Sequence, residues 1–119
     1  MMDEFEAVGV RIVVVSSNDR ETAERTVEEW HLDRLPVGYG LPAADARGWG
    51  LYFSAAMKET EPERFTEPGL FLVRRDGTLY FSVVQTMPFG RPPAAQLLST
   101  ISWIAENDYP ARGELAVDA

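Results

Sequence analysis

The chain has 119 residues, 45% of them hydrophobic and 25% charged, and its 11 basic against 19 acidic residues leave a net charge of −8. That length suits one domain able to bury roughly two thirds of its unfolded surface in an ordinary core. The acidic balance, with Arg74-Arg75 as the only basic doublet, argues against nucleic-acid and anionic-membrane partners. The lack of cysteine excludes disulfides, thiolate metal sites and thiol catalysis.

The longest apolar run, Ile12 to Val15, is too short to cross a bilayer, and Met1 to Glu6 lacks the layout of a secretory signal. The expected location is cytoplasmic. Val10 to Val15, VRIVVV, is β-branched and nearly continuous, the pattern of a strand covered on both faces. Ser16-Ser17-Asn18 stops it, and Asn18 with Glu21 forms a capping-box pattern for a helix running to about Trp30. Ala23, Val27 and Trp30 share one side of that helix.

Leu35 to Tyr39 is a short extended piece between Pro36 and Gly40. Pro42 suits a first helical turn, and Ala43 to about Met57 carries helical spacing interrupted by Gly48 and Gly50. Lys58 to Glu67 reads as a charged surface loop. Gly69 to Arg74 and Thr78 to Val84 flank Asp76-Gly77, where glycine supplies the positive φ of a hairpin turn. A rigid connector, Met87 to Pro93, leads to a helix from about Pro92 to Asn107 with Leu97, Leu98, Ile101, Ile104 and Ala105 as its stripe. Residues 1–112 form the domain, and 113–119 read as a flexible tail.

Four stretches follow one another in the chain: EFEAVGVRIVVVSSNDRETAERTVEE, YGLPAADARGWGLYF, EPGLFLVRRDGTLYFSVV and MPFGRPPAAQLLSTISWIAENDYPARGE. In this order they resemble the peroxiredoxin-like (alkyl hydroperoxide reductase/thiol-specific antioxidant) branch of the thioredoxin superfamily. The resemblance implies an α/β fold, a thioredoxin-like mixed sheet with helices on both faces. It also implies that the N-terminal strand and the cysteine-bearing turn are missing, since Met1 to Val8 resembles only the tail of the peroxidatic helix. In that layout the missing strand lies between Val10–Val15 and Gly69–Arg74, leaving bare strand edges that invite pairing. The two strands then pair directly, or a second chain fills the gap, or the chain is the shortened form of a thiol oxidoreductase with its catalytic segment upstream.

No catalytic, cofactor-binding or metal residue is assigned. Pro68 stands where an arginine often precedes the Gly-Leu-Phe strand of the family, and it reads either as a cis-proline bordering a former active-site groove or as a strand-start proline. His31 reads as a helix-end residue favoured by the dipole rather than as an acid or base. Asp45, Arg47, Glu59, Glu61, Glu63 and Glu67 read as solvated surface rather than as a carboxylate metal site. Trp49, Tyr52 and Phe53 read as core, with an exposed part suited to a subunit contact. The expectation is a cysteine-less interaction module related to cell redox homeostasis. It needs no cofactor, has no identifiable small-molecule ligand, and forms a homodimer through an exposed strand edge or an aromatic surface.

Overall fold

The computed structural model describes residues 2–29, 36–57, 59 and 63–116. In chain order the elements are α1 (Met2–Ala7), β1 (Val14–Val15), α2 (Arg20–Glu29), β2 (Val37–Gly38), α3 (Ala43–Gly48), β3 (Phe53–Ala55), β4 (Arg64–Thr66), β5 (Gly69–Val73), β6 (Leu79–Val84) and α4 (Ala94–Asn107). A single 3-10 turn, Pro88–Gly90, precedes α4. The protein is mixed α/β. Its described strands form three two-stranded sheets: β1 with β2, β3 with β4, and β5 with β6. No helix among the described residues is long and apolar enough to cross a membrane.

β1, α2 and β2 make a βαβ unit. β1 and β2 run parallel, with Val14 opposite Val37 and Val15 opposite Gly38, and α2 lies against β2. The cap of α2 differs from the sequence pattern by one residue. Asp19, not Asn18, accepts the Thr22 amide at 2.8 Å, while the Asn18 amide donates to the Ser16 hydroxyl at 3.0 Å. A carboxylate there also meets the positive end of the helix dipole. The bonds from the Thr22 amide and hydroxyl hold the Asp19 carboxyl below its ordinary pKa. Trp30 and His31 lie outside the described residues.

The helix expected to reach Met57 stops at Gly48. The Leu51 amide donates to the Ala46 carbonyl at 3.1 Å and the Gly50 amide to the Arg47 carbonyl at 2.9 Å, with Gly50 at φ 82. That is the Schellman ending, in which a left-handed residue satisfies the last carbonyls, and glycine takes it without strain. The chain then enters β3, which pairs antiparallel with β4, Phe53 opposite Thr66 and Ala55 opposite Arg64. Part of the expected 58–67 loop is therefore strand.

The β5–β6 hairpin forms as expected. Leu70 lies opposite Val83 and Leu72 opposite Phe81, with a bulge between Leu72 and Val73. Asp76 fastens its turn: one carboxylate oxygen accepts the Thr78 amide at 3.0 Å and the Thr78 hydroxyl at 2.6 Å. α4 ends on Asp108 in the left-handed region, and the Tyr109 amide donates to the Ile104 carbonyl.

Burial falls short of the expected core. Among the described residues only Phe5, Ala23 and Ala46 are buried hydrophobics. The chain exposes 9497 Å², whereas a compact monomer of 13.3 kDa exposes about 6,500 Å². The radius of gyration is 16.0 Å, against about 13–14 Å for a compact chain of this length. Two-stranded sheets explain the deficit, because each strand has a neighbour on one edge only and little is stacked across its faces.

Gly50→Ala puts a Cβ on a residue at φ 82 and costs about 1 kcal/mol, whereas Gly48→Ala, in a helix with open space around its Cβ, gains up to about 1 kcal/mol; denaturant midpoints moving in opposite directions are the readout. The two Thr78 bonds hold the Asp76 carboxyl below its ordinary value of 3.8, so its contribution to stability is complete above that value and disappears as pH falls through the folded-state pKa. An NMR titration of the Asp76 side chain reads a midpoint below 3.8, and Asp76→Asn removes that part of the acid sensitivity.

Candidate functional site

Pro68 joins the two antiparallel hairpins. Its peptide bond is trans, as are all others among the described residues. The Pro68 carbonyl accepts the Gln85 amide at 3.1 Å, and the neighbouring Glu67 amide donates to the Tyr52 carbonyl at 2.8 Å. Proline suits this hand-over because it has no N–H to leave unpaired.

The three aromatics expected on one helix are spread over three settings. Trp49 closes α3 and stands edge-on to Phe71 with ring centroids 4.7 Å apart, Tyr52 is exposed coil, and Phe53 begins β3. Their near-helical spacing in sequence is not realised because the helix ends at Gly48 and Gly50, at φ 82, turns the chain out of it. Trp49 and Tyr52 are each about half exposed, at 50% and 53%.

The carboxylates do not converge. Asp45 lies in the first turn of α3 and Arg47 in its last; Glu59 and Glu63 are exposed and Glu67 is half-buried. Glu61 lies outside the described residues. Among the described residues no group of three or more histidine, aspartate or glutamate side chains is placed to hold a metal ion. In the connector, Met87 and Phe89 are exposed, as is Met57 further back at 91%. The Gln85 side-chain carbonyl is buried and finds no donor among the described residues.

A second aromatic group was not foreseen. Tyr80 on β6 donates its hydroxyl to the Tyr109 carbonyl at 2.6 Å, and Trp103 on α4 packs on the Tyr109 ring with centroids 5.2 Å apart. The Arg74 guanidinium lies over the Tyr80 ring and 3.7 Å from the Glu114 carboxylate. The segment after α4 thus turns back over the hairpin. Its partners are 29 residues apart in the chain, a separation that no local pattern encodes.

The feature that stands out is β1. Val14 donates its amide to the Pro36 carbonyl at 2.9 Å and Ser16 to the Gly38 carbonyl at 2.9 Å, so these residues face β2. Strand alternation turns the main-chain groups of Val13 and Val15 to the opposite edge. No strand among the described residues pairs there. The strand expected to be covered on both faces is open: Val13 is 57%, Val14 39% and Val15 54% exposed. An open groove of roughly 380 Å³, lined by Met2, Glu6, Val10, Arg11 and Pro36 among others, adjoins its start.

Tyr80→Phe deletes the bond to the Tyr109 carbonyl without touching the β5–β6 ladder. Trypsin cleavage after Arg112 is expected to quicken several-fold while the amides of β5 and β6 stay protected. Compared with models of protein families, with curated proteins and with solved structures, the chain matches none.

Proposed function

We propose that the chain is a cysteine-less, peroxiredoxin-like interaction module of cytoplasmic redox homeostasis, without redox catalysis of its own. In this reading the fold is a thioredoxin-like mixed sheet with helices on both faces. The observation that carries it is the exposure of β1 and of Val13 just before it, an apolar stretch open to water. Part of the element order supports it: a βαβ unit comes first and the β5–β6 hairpin with a closing helix comes last, with α3 and the β3–β4 pair between them. The sheet division supports it too. β1 and β5 belong to separate sheets, each with one unpaired edge among the described residues, where the family layout has a central strand between them. Pro68, at the start of β5, then borders the place of that strand, with a structural role.

Peroxide reduction needs a stabilised thiolate, and this sequence holds no thiol. Hydrogen peroxide with dithiothreitol is therefore expected to disappear at the buffer rate when the protein is added. Saturable turnover over many equivalents would sink the reading.

A further inference from the structure

We infer that β1 pairs with β1 of a second copy of this chain, antiparallel about a two-fold axis through Val14, joining two β1–β2 sheets into one of four strands. The inference rests on the reading of the chain as an interaction module and names its partner.

Three observations carry it. The first is register. The Val14 and Ser16 amides donate to the Pro36 and Gly38 carbonyls and the Ser16 carbonyl accepts the Leu41 amide, so strand alternation turns the main-chain groups of Val13 and Val15 to the outer edge, where no strand among the described residues pairs. With the axis at Val14, Val13 of one copy lies opposite Val15 of the other. Residues opposite each other in that way exchange both N–H to C=O bonds, and the two Val14 residues form the non-hydrogen-bonded pair between them. The strand is therefore complementary to itself.

The second is side-chain chemistry. Ile12 to Val15 carries no charge, proline or glycine, the usual devices that keep an edge strand from pairing. Pairing sets valine against valine on both faces, which suits a pleated surface. The nearest charge, Arg11, falls opposite Ser17 of the other copy, so no like charges meet.

The third is area. The surface exceeds that of a compact monomer of this mass by about 3,000 Å², whereas a stable dimer needs about 800 Å² from each partner. Val13, Val14 and Val15 are among the exposed apolar residues that make up this excess.

Sedimentation equilibrium on the intact chain tests this. The wild type is expected at the mass of two chains at tens of micromolar. Val15→Pro removes one outward N–H and leaves the Val14 and Ser16 bonds to β2 in place, so it is expected at the mass of one chain with its far-UV spectrum kept. Amide exchange on the wild type is independent of whether that variant folds: Val13 and Val15 exchange more slowly as concentration rises, while Val14 and Ser16 do not change. Because each copy carries −8, raising salt from about 20 to 300 mM tightens the dimer by screening. A one-chain mass for the wild type, a dimer that survives in folded Val15→Pro, concentration-independent Val13 and Val15 exchange, or weakening by salt overturns the inference. Mass and peroxide turnover separate the two claims. One chain without turnover removes the dimer alone, and two chains with turnover remove the non-catalytic reading alone.

Discussion

A strand hydrogen-bonded along one edge only is the constraint on which the rest of this molecule depends. β1 has β2 on one side and, among the described residues, no strand on the other, and its valines are exposed. Its outward amide and carbonyl groups are solvated, which costs little, but its valines are held in water. Burying a side chain of that size yields about 1.5 kcal/mol at the low end of the usual range, so the strand withholds a stabilisation that a compact core would collect. The same shortage recurs in the other sheets, and it accounts for the large surface and the expanded radius together.

What holds the described chain in shape is therefore mostly local. The caps, the Schellman ending of α3 and the Asp76 turn act within a few residues of one another. The ion pairs of α2, Arg20 with Glu24 and Arg25 with Glu21, are exposed neighbours one helical turn apart and contribute only a few tenths of a kcal/mol each. Structure of this kind sets directions of the chain well and buries little.

That balance explains what could be read from the sequence. The β5–β6 hairpin, α2 and α4 were legible because Asp76-Gly77, the Ser16–Glu21 stretch and the Leu97–Ile104 stripe are local signals that act locally. The choice of Asp19 over Asn18 was not, since both residues cap well and the difference lies in where the first turn closes. β3 and β4 escaped because the charged, Pro62-containing segment between them reads as a surface loop, and Phe53 continued a helical spacing that Gly50 had already ended. The Tyr80–Tyr109 bond needed the tertiary path of the chain. Of the strand expected at Val10–Val15 only Val14–Val15 forms, and its valines are exposed rather than covered. Periodicity reports that a strand prefers to be covered, and it does not report what covers it.

The exposure of Met57 and Met87 has a chemical consequence of its own. Sulfur in this chain occurs only as thioether, and at these two positions it stands in solvent. An oxidant that would meet a thiolate in a peroxidase meets a methionine here. Sulfoxide formation consumes one equivalent per side chain and stops until a separate reductase restores it. Both side chains are mostly exposed, so the added oxygen meets water there and the oxidation marks the outside of the protein.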